Sequence, residues 1–297
     1  MKLCNLDNNI IECFNNDAKK IANKLKTDIL LYYGPIALEA LPLFRDVIEN
    51  NKKATKSKET LSFIITTTGG SAEAAAKMVE ILRYHYKNIN IFIPEYAMSA
   101  GTILALSGDN ICMDYYSSLG PVDPQVPVRK DGSIQYVPAL GYLEQAELLI
   151  KKSLNNTISP VEYAMLRDMD LAMLKLYEQA KNLSIQLIKD WLVKYKFKDW
   201  TTHQSNSEKK GQPVTKDEKI NRANEIASMF SDYNLWLSHG RRISIDTLQK
   251  DMKLKVDDYT GKDEQLLIRK YNDAIITYTM RIGKSLFMHT PYSYGEL

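Results

Sequence analysis

Between Asp28 and Met113 the chain alternates short, unbroken apolar runs with stretches whose apolar residues recur every three or four positions. The runs DILLYY, LSFIIT, INIFIP and NICM are short, rich in β-branched and aromatic residues, and read as strands buried on both faces. IALEALPLFRDVIENN, SAEAAAKMVEILRYHY and SAGTILALSG carry the helical spacing instead. Wholly apolar strands separated by helices pair in parallel, with the helices covering the sheet. An α/β core is therefore predicted, punctuated at Gly34-Pro35, Gly69-Gly70, Pro94 and Gly120-Pro121.

Beyond Gly120 the pattern changes. PVDPQVPVRKDGSIQYVPALG reads as extended pieces around a KDGS hairpin turn. The following segment predicts one long helix near 160–195, capped by Ser159 and opened by Pro160. From Lys198 to Pro213 the chain is polar, and two further helices flank SHGRRISIDTLQ. There is no internal sequence repeat. The expected division is a core of residues 1–197, including the long helix, and a mostly helical C-terminal extension of residues 198–297.

Composition narrows the function classes. The 297 residues, 44% hydrophobic and 25% charged, suffice for a large buried core. The net charge of +3 is spread over mixed-sign segments such as EKKGQPVTKDEK, which is a solvated loop rather than a phosphate-binding stripe, so nucleic acid is not expected as a partner. No apolar run approaches the roughly 18 residues of a membrane span, and MKLCNLDNNIIECFNN lacks a signal-peptide core; the cytoplasm is the expected location. Cys4, Cys13 and Cys112 stand apart, with no CxxC and no paired-histidine motif, so no metal site is expected and the thiols read as reduced, Cys112 in a buried strand. No GxGxxG follows the first strand, which removes nicotinamide chemistry, and no cofactor is expected.

Chemistry concentrates at two strand-to-helix joints. Ser99, in IPEYAMSAGTILALSGD, reads either as a helix N-cap or as a nucleophile whose developing alkoxide meets free backbone N–H groups. Gly69-Gly70 ends the preceding buried strand, either as a tight turn or as a corner that lets the Gly70 N–H point outward. If the two joints converge, the Gly70 and Ala100 amides can hold the oxyanion of a tetrahedral intermediate, each donor being worth about 3 kcal/mol. Gly69 and Gly101 would then admit a substrate backbone. Asp123, between prolines in GPVDPQ, would shape the cleft, and there either orient a base or repel acidic substrate, or would serve its own turn.

The ordered set TTTGGSAEAA, AMSAGTILALSGDNICM and SLGPVDPQ resembles the Clp-protease/crotonase superfamily and, within it, the serine dehydrogenase proteinases, relatives of signal-peptide peptidase A. The resemblance covers about Asp28 to Gln125, and more weakly WTTH and SHGRRI. It implies a spiral of ββα units, Ser99 as nucleophile, Gly70 and Ala100 as oxyanion donors, peptide-bond hydrolysis without metal or nucleotide, and a homo-oligomer. A peptide or protein substrate is the expected partner, and an ATP-dependent unfoldase is left open.

The general base is the gap. No histidine occurs between Tyr86 and Thr202, where Clp-type proteases carry theirs, and Leu140 aligns with the lysine of the Ser–Lys relatives. His203 and His239 in the extension are the candidates, followed by Lys130 and Lys151-Lys152. His85 reads as structural, His289 as part of a fraying terminus, and Gly240-Arg241-Arg242 as a solvated helix start or a carboxylate-binding cluster. Without a base, the fold would serve as an inactive oligomeric scaffold or peptide-binding module. Enolate chemistry on an acyl-thioester, with the same two amides, is a third reading, in which Ser99 has no role.

Overall fold

The computed structural model describes residues 5–55, 58–130, 133–204 and 208–297. In chain order the elements are α1 (Asn5–Leu25), β1 (Asp28–Tyr33), α2 (Leu41–Thr55), β2 (Thr60–Thr66), α3 (Ala72–His85), β3 (Asn88–Ile93), β4 (Tyr96–Ala97), α4 (Ala100–Ala105), β5 (Asn110–Met113) and β6 (Ser118–Leu119). They continue with β7 (Gln125–Lys130), β8 (Ser133–Pro138), α5 (Ala139–Leu154), α6 (Pro160–Arg167), α7 (Leu171–Trp191), α8 (Lys216–Phe230), α9 (Tyr233–Trp236), β9 (Ile243–Ser244), β10 (Asp257–Asp258), α10 (Asp263–Arg281), β11 (Phe287–Thr290) and β12 (Ser293–Glu296).

The four apolar runs form the parallel centre of a seven-stranded sheet ordered β10-β5-β3-β2-β1-β11-β12. Both faces are covered. α2 and α3 pack Phe44, Val47, Met78 and Leu82 against one, while α1 and α10 place Phe14, Ile21, Tyr271 and Ile275 on the other. That double burial is why apolar residues follow one another in these strands rather than alternating with polar ones.

Each central strand continues into a short second strand before its helix begins. β3 leads to β4 and then α4, and β5 leads to β6. β2 leads to residues 67–70, with Thr67 bridging Ala97, and β1 leads to Ile36, which bridges Gly70. The short pieces thus form a second layer in the order Ile36, 67–70, β4, β6, repeating the order of the large sheet, and β9 closes it antiparallel to β6. This strand–strand–helix repeat corresponds to the expected ββα units.

Two differences from the sequence reading have local causes. The long helix near 160–195 is interrupted: α6 ends at Arg167 and Asp170 recaps α7, its carboxylate accepting the Ala172 and Met173 N–H groups. Ser159 and Glu162 do form a capping box with Pro160 in the first turn. His289 does not fray; it is fully buried in β11, which pairs with β1. The C-terminal region is helical, as expected, and it also adds β10, β11 and β12 to the large sheet. β7 and β8 form the expected hairpin, whose turn residues 131–132 lie outside the described ones. Among the described residues no helix is long and apolar enough to cross a membrane.

Candidate active site

The two joints converge. A Cβ on Gly69, which holds φ +99°, would lie 2.6 Å from the Met98 carbonyl oxygen, 2.9 Å from Ser99 Cβ and 3.3 Å from the Ala100 nitrogen. Only glycine fits there, in conformation and in space. Gly70, at φ +144°, is pinned from one side: Ile36 N donates to the Gly69 carbonyl at 2.8 Å, and Ser71 N donates to the Ile36 carbonyl at 2.9 Å. In such a parallel bridge the intervening residue turns its own N–H away, so the Gly70 amide faces off Ile36. Among the described residues neither the Gly70 nor the Ala100 N–H has a hydrogen-bond partner.

Ser99 sits at the N-cap position of α4 but does not cap it. Its backbone is at φ 50°, ψ −116°, and its hydroxyl makes no cap bond. Ser71, at the equivalent joint one unit earlier, has ordinary extended dihedrals, and its Oγ accepts the Ala74 N–H at 3.0 Å. The contrast counts against the cap reading of Ser99, since a cap serine looks like Ser71. A non-glycine residue in this region carries about 1–3 kcal/mol of strain, of the kind that collects at functional sites.

Packing around α4 fixes this geometry. Gly101 is buried, and a Cβ there would fall 2.4 Å from Thr67 Cγ2, so its small size serves helix-to-strand packing instead of the substrate approach expected of it. Thr102 was not singled out from the sequence. Its fully buried hydroxyl accepts the Gly120 N–H at 3.0 Å and lies 2.8 and 2.9 Å from the Ala97 and Gly120 carbonyl oxygens. One side chain thereby clips the Ser99 joint to the end of β6.

The topology then brings a histidine. β4 and β6 are parallel, so the residues that follow them leave from the same end of the small sheet; β9 is antiparallel, so the residues that precede it arrive at that end. Ser99 follows β4, Asp123 follows β6 and His239 precedes β9. His239 Nδ1 lies 2.6 Å from Asp123 Oδ1, and Asp123 is only 2% exposed. A carboxylate only accepts, so Nδ1 donates, and in the neutral ring Nε2 is left as the acceptor.

Arg242 anchors the incoming segment, with its guanidinium 5.3 Å over the Tyr96 ring and Nη1 3.4 Å from Ser118 Oγ. Beside it, burial pushes the Glu95 carboxyl above its usual range, Asp273 adds to this, and Arg242 opposes it.

Two of the remaining candidates, His203 and Lys152, are engaged elsewhere. His203 is buried edge-on against Trp200, with Nε2 3.3 Å from Glu218 Oε1, and its backbone is tied to Gln212 and Gly211. Lys152 pairs with Glu162, while the Lys130 side chain and Cys4 lie outside the described residues. Cys112 is buried in β5. Among the described residues no three His, Cys, Asp or Glu side chains gather as a metal ion needs.

Residues 36–208, more than half of the chain, match the family model of the ClpP-like SDH-type serine proteinases. Two uncharacterized proteins of Methanocaldococcus jannaschii are similar in sequence. One is 36% identical over 118 residues, covering 36% of this chain and 41% of the relative. The other is 39% identical over 74 residues, a quarter (25%) of each chain. The chain therefore spans well under two thirds of either relative. Among solved structures, a variant of a membrane-bound stomatin-specific protease aligns with TM-score 0.44 and 16% identity over 81% of both chains. ClpP1 from Listeria monocytogenes aligns with TM-score 0.40 and 12% identity over 82% of this chain and 99% of its own.

Proposed function

The chain belongs to the family of ClpP-like SDH-type serine proteinases, and from that premise we propose that it hydrolyses peptide bonds with Ser99 as nucleophile, His239 as general base and Asp123 as the residue that orients it. The observation that carries this reading is the 2.6 Å Asp123–His239 pair at the end of the small sheet from which Ser99 emerges. A serine hydroxyl is too weak an acid to attack unaided, so a base must take its proton as the bond to the carbonyl carbon forms. In this mechanism His239 Nε2 receives the Ser99 proton, and Asp123 keeps the ring in that tautomer and stabilises the imidazolium. The Gly70 and Ala100 N–H groups receive the oxyanion, for about 3 kcal/mol each. His239 returns the proton to the departing amine, and water repeats the sequence on the acyl-enzyme.

The Asp123–His239 pair supports this reading over an inactive scaffold, because it offers Ser99 a base. Peptide or protein substrates and self-assembly belong to the same proposal, as does a core of residues 1–197 to which the extension of residues 198–297 adds the base.

The test is covalent labelling with a fluorophosphonate probe, alongside turnover of a peptide library by the full chain. Native protein is expected to label and to cleave, and Ser99→Ala to do neither while keeping its circular dichroism. Undiminished labelling of the variant would remove Ser99 from the mechanism.

A further inference from the structure

We propose that a second site, at the opposite end of the large sheet, binds a small zwitterion of the free amino acid class. The site is a cavity of about 190 Å³ where β1 begins, lined among others by Asp28, Asn51, Thr55, Lys19, Lys58 and Tyr292. Ser99 lies beyond the other end of the parallel strands, about 20 Å away by the length of a six-residue strand. The proposal is independent of the peptidase reading.

The floor of the cavity presents two acceptors and no donor. Asp28 is 2% exposed and Asn51 is 1% exposed. Asp28 Oδ2 accepts the Thr55 hydroxyl at 2.8 Å and the Tyr86 hydroxyl at 3.0 Å. Tyr86 keeps its proton, since burial and then the nearby Asp28 push its phenol up. That single proton points to Asp28, so the Tyr86 oxygen can only accept, which it does from Asn51 Nδ2 at 3.3 Å. The amide orientation is thereby set, and among the described residues Asn51 Oδ1 is left without a partner, as is Asp28 Oδ1. No cation pairs with Asp28 among the described residues. A buried carboxylate and a buried amide oxygen in this state are each costly unless a donor reaches them, most of all a charged one. A primary ammonium has the three N–H groups and the charge to serve both.

The other end of the ligand follows from the remaining lining. Lys58 Nζ donates to the Thr27 carbonyl at 3.0 Å and retains further N–H groups, and Lys19 Nζ lies 5.8 Å from the Tyr292 ring centroid. Two ammonium groups beside a floor that calls for an ammonium suit a molecule that is cationic at one end and anionic at the other. Within a cavity of this size, a free amino acid meets both conditions.

Titration calorimetry on the full chain tests this, with L-alanine and L-lysine as two-ended probes and propylamine and propionate as single-ended ones. At least one amino acid is expected to bind saturably and more tightly than either single-ended probe. Asp28→Asn, which preserves shape, is expected to weaken that binding by about tenfold or more. Lys58→Ala is expected to weaken the amino acid but not propylamine, and it serves alone if Asp28→Asn does not fold. Propylamine binding as tightly as the amino acids, an unchanged affinity in Lys58→Ala or in folded Asp28→Asn, or no saturable heat from any probe would each overturn the proposal.

Discussion

Ser99 and Ser71 occupy the same position in successive units of the fold, yet only Ser71 caps its helix. What distinguishes them is the backbone of Ser99, at φ 50°, together with the side-chain-free wall that Gly69 offers beside it. That much was legible, because TTTGGS and AMSAGT each mark a strand-to-helix corner and neighbouring strands place their corners side by side. The partner of Asp123 was not, because 116 residues separate it from His239 and no local period links them. A carboxylate can only accept and so holds the imidazole with its proton on Nδ1, whereas an asparagine amide can also donate and hold the other tautomer. Asp123→Asn should therefore leave the fold intact, favour the wrong tautomer and lower kcat by about 10³–10⁴-fold, by comparison with a serine-protease triad that loses its aspartate to asparagine. Steady-state kinetics on the purified variant check this. A kcat within threefold of the parent protein, about 0.7 kcal/mol, would show that Asp123 does not act through the base.

At the scale of elements, the site depends on three two-residue strands, β4, β6 and β9, that sequence periodicity cannot detect. The long apolar strands and the amphipathic helices were readable because each buries a continuous face. A two-residue strand has no pattern to read, and the break between α6 and α7 rests on one recapping residue, Asp170. Thr102 ties α4 to the end of β6 where strand pairing is thinnest. Thr102→Val keeps the volume but leaves the buried Gly120 N–H without its acceptor, at about 1–3 kcal/mol. Denaturant unfolding should register a loss of that size. If the clip also sets the spacing between Ser99 and Asp123, fluorophosphonate labelling should slow by more than the unfolded fraction explains. Labelling that tracks the folded population alone would confine Thr102 to a structural role.

For the whole molecule, the C-terminal third matters twice: residues 231–246 deliver His239 to one end of the small sheet, while β11 and β12 extend the large one. His289 looked like a terminal residue on position alone, but its strand pairs with β1. Its ring stacks on Phe287, meets Phe14 edge-on, and faces the Tyr271 hydroxyl at 2.6 Å through Nδ1. Burial pushes this imidazole from the ordinary 6.5 down to about 3. Between those values the unfolded chain takes up a proton that the folded chain refuses, so stability is fully present above pH 6.5 and drains away as pH falls towards 3. Asp109 and Asp114 act at the acid end of that range. Burial would raise both carboxyls, but hydrogen bonds from Lys198, Ile89 N and Arg83 to Asp109, and from Gln265, Tyr116 N and Arg269 to Asp114, hold them below 3.8, so their contribution is lost only beneath that value. In the interval between 6.5 and 3.8 the other shifted groups are common to parent and variant: His85, lowered by burial, Glu95, raised by burial, and Glu162, Glu178 and Glu218, lowered from 4.5 by hydrogen bonds. His289→Gln removes one titrating ring. Urea unfolding across this interval should show a decline in stability shallower than that of the parent chain, whatever the variant's stability at neutral pH. Parallel declines would mean that His289 is protonated in the folded chain as readily as in the unfolded one, and that water reaches the ring between β1 and β12.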